Sequence, residues 1–214
     1  MPYTTKEIFH TLQCEGANSG RSAVFCRFTG CNLWSGHEVD RANAICQFCD
    51  TDFVETDGLD GGKFEKASEL SEAIDKIWNN NVASKLNKLV VCTGGEPLLQ
   101  LDSRLIDALH KKGFEVAIET NGTQPSPPNI DWICMSPKTA TSDLVIKSGN
   151  ELKFVYPQEL ISPEMFEEFE FDYFYLVPMD GGSKDKNTKL AIDYCLKNPK
   201  WKLTLQTHKL IGLP

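Results

Sequence analysis

The sequence lacks any apolar run long enough to span a bilayer. Its first residues, MPYTTKEIFH, lack the basic-then-apolar pattern of a secretory signal. These absences predict a soluble cytoplasmic chain with reduced thiols and no membrane partner. Positive charge is also scarce: Lys and Arg total 22 against 30 Asp and Glu, a formal net charge of −8. That balance opposes a broad phosphate-binding face and argues against a nucleic-acid binder. It leaves room for a local basic pocket that takes one small anion. No internal repeat, low-complexity tract or linker divides the 214 residues. The length predicts a single domain, residues 1–214, with a sizeable core.

What is present alternates. Strand-like runs read at 23–29, 88–93, 114–120, 132–136, 151–156, 173–178 and 201–207. Helical spacing reads over 66–79, with Leu70, Ile74 and Ile77 on one face. Further helices read near 102–111 and 186–197. Strands separated by helices need crossover connections and a parallel sheet. The fold class is α/β, a modified and incomplete TIM-like barrel with mainly parallel strands. The crossover between 136 and 151 is too short for a full helix. Polar or glycine-bearing segments follow the strands: TGGEP, ETNGT, SPK, VPMDGG and QTHK. In parallel barrels that edge carries the chemistry.

Eight cysteines are unusual for such a chain. Cys31, Cys46 and Cys49 stand out: a fourteen-residue insert separates the first two, and the last two form a Cys-x-x-Cys pair. Three thiolates can hold three irons of a 4Fe–4S cluster and leave the fourth iron open. Structural zinc is the competing reading, with Cys26 or His37 as a fourth ligand. Plain buried thiols are the other. That reading suits Cys92, Cys134 and Cys195, which sit in apparent strands or a helix. It suits Cys46 and Cys49 poorly, because their neighbours are polar.

Gly94 and Gly95 either admit a ligand to the backbone or make a tight turn into Pro97. Glu96 can accept from an amine. Glu119 and Asn121 stand at a strand end, or form an Asn-Gly turn. Ser136 and Lys138 offer a hydroxyl and an ammonium; Asp180 is a site or a turn residue. Gln13 and Glu15 can read the edge of a heterocycle. Arg27 lies inside an apolar strand and needs an anion, either a protein carboxylate or a substrate carboxylate.

Taken together, CNLWSGHEVDRANAICQFCDTDF, VVCTGGEP, AIETNGT, VPMDG and LQTHK resemble the 7-carboxy-7-deazaguanine synthase family of radical S-adenosylmethionine enzymes. The resemblance covers essentially the whole chain and includes the wide first cysteine spacing. It implies an enzyme of queuosine and 7-deazapurine biosynthesis, a carbon–nitrogen lyase and homodimer. Its implied reaction turns 6-carboxy-5,6,7,8-tetrahydropterin into 7-carboxy-7-deazaguanine with loss of ammonia. The implied cofactors are a 4Fe–4S cluster on Cys31, Cys46 and Cys49, S-adenosylmethionine, and Mg2+ at Thr51. S-adenosylmethionine contacts would be Phe48, Cys49, Asp50, Gly95, Ser136, Pro137, Lys138, Val177, Pro178, Met179 and Asp180. The pterin would meet Leu12, Gln13, Cys14, Glu15, Arg27, Thr93 and Pro214. A flavodoxin-like protein would donate electrons. Two functions share parts of these motifs: a radical activase acting on a partner protein, and a non-catalytic zinc module. Cys14 stands where the family usually carries glycine, so a positive φ there would strain the loop.

Overall fold

The computed structural model describes residues 2–213. Pro214, placed at the pterin by the resemblance, lies outside the described residues. Among the described residues nine strands form one sheet: β1 (Tyr3–Leu12), β2 (Ser22–Phe28), β3 (Gly62–Phe64), β4 (Lys88–Gly94), β5 (Phe114–Thr120), β6 (Trp132–Met135), β7 (Ser148–Tyr156), β8 (Glu170–Pro178) and β9 (Trp201–Leu203). Four α-helices accompany them: α1 (Ala67–Asn81), α2 (Ser103–Lys111), α3 (Lys184–Lys197) and α4 (Thr207–Ile211). The spatial order is β3-β1-β2-β4-β5-β6-β7-β8-β9, and it does not close. Neighbours from β2 to β9 run parallel, while β1 pairs antiparallel with both β2 and β3. The incomplete, mainly parallel barrel read from the sequence is therefore present. Between β6 and β7 the crossover contains only a short 3-10 turn, Thr141–Asp143.

Two elements differ from the sequence reading. β1 is not among the predicted strands. Its register slips between Thr5 and Glu7, and that irregularity breaks the alternation which marks a strand. The predicted strand at 201–207 stops at Leu203. The chain then turns toward the first loop, where the Thr204 hydroxyl accepts the Gly16 N–H at 2.8 Å.

Strand alternation sorts side chains onto two faces. One face carries Val24, Cys26, Val90, Cys92, Val116, Ile118, Leu152, Phe154 and Leu176 in a single buried cluster. Helices cover that cluster. α1 inserts Leu70, Ile74 and Trp78, and α2 inserts Leu105, Ile106 and Leu109. Burying one such side chain stabilises the fold by about 1.5–3 kcal/mol. The helix starts are fixed by local chemistry. Glu69 accepts the N–H groups of Glu65 and Lys66 at the start of α1. Asp102 caps α2 through the Leu105 N–H and also accepts the Tyr3 hydroxyl, tying α2 to β1. The opposite face has only a small apolar cluster of Ala23, Leu89, Val91 and Ala117, with Phe25 and Trp132 against it. Continuing along the same strands, that inner face reaches Arg27, Thr93, Glu119 and Lys153.

Candidate active site

The carboxyl ends of the parallel strands surround two adjoining cavities of about 350 and 230 Å³. The larger is lined by Cys31, Cys46 and Cys49 from the loop after β2, by Thr93 to Gly95 after β4, and by Glu119 to Asn121 after β5. Ser136 and Lys138 after β6 and Val177 to Gly181 after β8 complete the wall. The smaller is lined by Leu12, Gln13, Cys14, Arg27, His208 and Lys209, among others. Glu15, Asp50, Thr51, Thr93, Glu119 and Gln206 line both. Five strand-end segments singled out in the sequence thus meet in one place. Pro137 does not line either cavity; its carbonyl accepts from Gln158 Nε2.

The three thiols share the larger cavity. Cys31 Sγ accepts the Leu33 N–H at 3.5 Å. Burial pushes the Cys31 thiol up, whereas a hydrogen bond from Cys46 brings Cys49 down to about 6. The same bond, with burial, pushes Cys46 up. A thiolate is thus favoured at the Cys-x-x-Cys pair, the form that binds metal. Neither residue read as a fourth zinc ligand is at the cavity. Cys26 faces the outer core, and His37 is exposed. Among the described residues no three metal-binding side chains converge on a single-ion site. Cys31, Cys46 and Cys49 line the wall of one cavity.

Arg41 holds the fourteen-residue insert against this pair. It donates to the carbonyls of Gln47 and Cys49 at 3.0 Å each, and its guanidinium lies 3.9 Å over the Trp34 ring. Gly95 brings β4's exit onto the cysteine loop. A Cβ there would fall 1.9 Å from the Gly30 carbonyl oxygen and 3.1 Å from the Cys31 Cβ. Gly94 adopts φ +116° against Phe28, so the glycine pair serves backbone packing as well as lining the cavity. Glu96, read as an amine acceptor, is fully buried. It accepts from the Leu98 N–H, the Thr120 hydroxyl and the Asn121 N–H, which locks the β4 exit to the β5 exit.

Arg27 serves a protein carboxylate and faces the smaller cavity at once. Its Nε donates to Glu7 Oε1 at 2.7 Å, while its terminal nitrogens make no protein hydrogen bond among the described residues. Gln13 is occupied: its Oε1 accepts the Cys14 and Glu15 N–H groups, and its Nε2 donates to Glu119. Lys138 lies beside Ser136 and 5.7 Å from the Phe48 ring centroid, with burial lowering its pKa. Asp50 and Asp180 are bridged by Lys209, at 2.6 Å to each. Burial opposes charge on Asp50, but Lys209 outweighs it and holds the carboxyl below its ordinary range.

The chain is similar to curated proteins along its entire length. It is 58% identical to the 7-carboxy-7-deazaguanine synthase of Burkholderia multivorans and 57% identical to that of Caulobacter vibrioides, each over all of both chains. A Bacteroides thetaiotaomicron protein of the same name is 38% identical, covering 97% of this chain and 96% of its own. The chain belongs to the 7-carboxy-7-deazaguanine synthase family. It is accordingly an enzyme. The fold agrees with the crystal structure of QueE from Escherichia coli, at TM-score 0.61 and 24% identity, over 96% of this chain and 94% of that one. A scan against family models finds no match.

At Cys14, where the resemblance implies a glycine, the backbone is unstrained. Cys14 is not among the positive-φ residues, and its buried thiol lies 3.4 Å from the Leu12 carbonyl oxygen. The left-handed residues of the loop are Gly16, at φ +67°, and Gly20, at φ +88°. Sequence reading missed Lys153, which contacts Glu15 and Glu119. The signal was available. In ELKFVY, Leu152 and Phe154 share one face, and Glu151, Lys153 and Val155 share the other. A buried charge on the inner face of a parallel strand points toward function. No described helix is long and apolar enough to cross a membrane.

Proposed function

We propose that this enzyme converts 6-carboxy-5,6,7,8-tetrahydropterin to 7-carboxy-7-deazaguanine, with loss of ammonia. The observation that carries this reading is the convergence of three cysteines and five strand-end segments on one cavity, joined to a second lined by Arg27 and Glu15. In this reading Cys31, Cys46 and Cys49 hold the 4Fe–4S cluster, and the larger cavity takes S-adenosylmethionine. Phe48 to Asp50, Gly95, Ser136, Lys138 and Val177 to Asp180 surround it. When bound, this pair supplies the one-electron chemistry that activates a substrate carbon–hydrogen bond.

The chain's own residues bind, orient and shield. The free edge of Arg27 takes the substrate carboxylate; a guanidinium can do so through two parallel bonds. Leu12, Gln13, Cys14 and Thr93 bound the pterin. Thr51 lies between the cavities and offers a hard hydroxyl oxygen, the donor type that Mg2+ prefers. α4 lies at the cavity mouths, tied to the first loop by the Thr207 hydroxyl on the Cys14 carbonyl at 2.7 Å. Excluding water there protects reactive species. A flavodoxin-like electron donor, a homodimer, a cytoplasmic location and a place in queuosine biosynthesis complete the proposal.

The test is an anaerobic assay of protein reconstituted with iron and sulfide. S-adenosylmethionine, the carboxytetrahydropterin, Mg2+ and a reductant are added, and products are followed by mass spectrometry. Expected is 7-carboxy-7-deazaguanine without stoichiometric 5′-deoxyadenosine. Cleavage of S-adenosylmethionine without that product would remove the substrate assignment. A colourless protein that binds zinc would overturn the cluster.

A further inference from the structure

Lys153 is a buried cation set between two carboxylates. Its Nζ lies 2.7 Å from Glu15 Oε2 and 3.0 Å from Glu119 Oε1, and its side chain is only 8% exposed. The three residues come from distant parts of the chain. Glu15 follows β1, Glu119 ends β5, and Lys153 lies in β7. Both carboxylates line both cavities, at the boundary where a ligand in one meets a ligand in the other. Each keeps acceptor capacity. Glu15 Oε1 accepts no hydrogen bond among the described residues, and Glu119 Oε2 accepts only the Thr93 hydroxyl at 3.3 Å. Gln13 donates from the first loop to Glu119 and so braces the pair.

Two carboxylates sharing one ammonium would repel each other without it, and one would take up a proton. A protonated carboxyl donates where an ionised one accepts. The ammonium therefore decides the hydrogen-bonding pattern offered to a ligand. Other titratable groups face the set. Glu151 and Cys134 lie on the neighbouring inner face, Lys138 across the larger cavity, and His208 on α4. Glu151 is engaged by the Ala17 N–H at 3.1 Å and the Cys134 thiol at 3.6 Å.

We infer that Lys153 is a positioning residue that holds the Glu15 and Glu119 carboxylates side by side, so that both accept from one donor-rich heterocycle. The identity of that heterocycle as a pterin rests on the proposed function; the role of Lys153 does not.

The experiment compares Lys153→Met and Lys153→Arg with wild type. The first readout uses cluster-free protein: infrared spectroscopy for the carbonyl stretch of a protonated carboxylic acid at neutral pH. Lys153→Met is expected to gain that band relative to wild type and Lys153→Arg. The second readout is kinetic, in the reconstituted enzyme. In Lys153→Met the KM for the pterin should rise about tenfold or more, the scale of one lost charge-assisted hydrogen bond. That KM should fall again as pH increases and the carboxyl re-ionises, with kcat changed far less. Lys153→Gln serves the same readouts if Lys153→Met does not fold. Absence of that gain, with an unaltered KM across the pH range, would overturn the role. An acid band gained in Lys153→Met, with no pterin turnover by wild type, would keep the role and discard the substrate.

Discussion

The cysteine loop and the charged layer beneath it are built in opposite ways. The loop spans residues 31–53 with little regular structure beyond a 3-10 turn, Glu38–Asn43. It is fixed by Arg41, by the packing of Trp34 on Phe53, and by the approach of Gly95. Its three thiols line a cavity but form no single-ion site. The charged layer is already assembled. Glu15, Glu119 and Lys153 sit on rigid strands or a braced loop, with Gln13 and Thr93 completing their bonds. One region supplies ligand atoms from an irregular loop. The other supplies electrostatics in advance, which is cheaper during a reaction because nothing must reorient.

The largest effect should come from the loop. Replacing Cys31, Cys46 or Cys49 singly with Ala should abolish turnover and sharply reduce bound iron after reconstitution. The sheet should be intact, because the core cluster lies on the other face. Iron content, visible absorption and far-ultraviolet circular dichroism check this. Wild-type iron content in any of the three would break the contrast at its strongest point.

Second comes Glu96, which joins the two regions' supporting loops. Glu96→Ala leaves the Leu98 and Asn121 N–H groups and the Thr120 hydroxyl without their acceptor. Each buried unsatisfied group costs about 1–3 kcal/mol. Urea unfolding should show a loss at the upper end of that range or beyond. An unchanged midpoint would mean that water substitutes freely, and that the β4–β5 lock is dispensable.

The charged layer should also mark the acid limb of stability. Burial alone would raise the Glu119 carboxyl, but Lys153 outweighs burial and holds it below its ordinary value of 4.5. A depressed carboxylate stabilises the fold fully above its unfolded pKa and loses that contribution as pH falls through the folded one. Stability measured from neutral pH downward should therefore decline below about pH 4.5 more steeply in wild type than in Glu119→Gln. Parallel curves would show that the ion pair adds nothing to folding.

The two regions also differ in how readable they are in the sequence. Cys31, Cys46 and Cys49 are visible because thiols are rare, and a Cys-x-x-Cys pair among polar neighbours fits few roles besides metal binding. The strand-end segments are visible because glycine and polar residues interrupt apolar runs at a fixed place in each βα unit. Lys153 is hidden inside a run that reads as a plain strand, and only strict alternation exposes it. The bonding of Glu96 is hidden for a different reason. Glu96 follows two glycines at a strand end, yet its partners Leu98, Thr120 and Asn121 become visible only in the fold. β1 escapes because its bulge interrupts the period. The short β9 is overextended because Leu203 to Leu205 continue an apolar pattern while Thr204 already bonds to Gly16. Local chemistry is legible when it is rare or periodic. It is not when it depends on a partner far along the chain.

The smallest effect tests how the first loop joins the charged layer. Cys14 stands beside Gln13 and Glu15, at a position where the family usually carries glycine. Its backbone needs no left-handed conformation, and its buried thiol fills space near the Leu12 carbonyl. Cys14→Gly would therefore add freedom mainly to the unfolded chain and cost about 0.4–1 kcal/mol. The KM for the pterin should change little, because Gln13 still braces the loop through the backbone N–H groups of residues 14 and 15. Urea midpoints and steady-state kinetics of the two proteins decide it. A more stable or markedly faster Cys14→Gly would show that the thiol crowds the pocket, and that the loop is less settled than the lysine-bridged pair it serves.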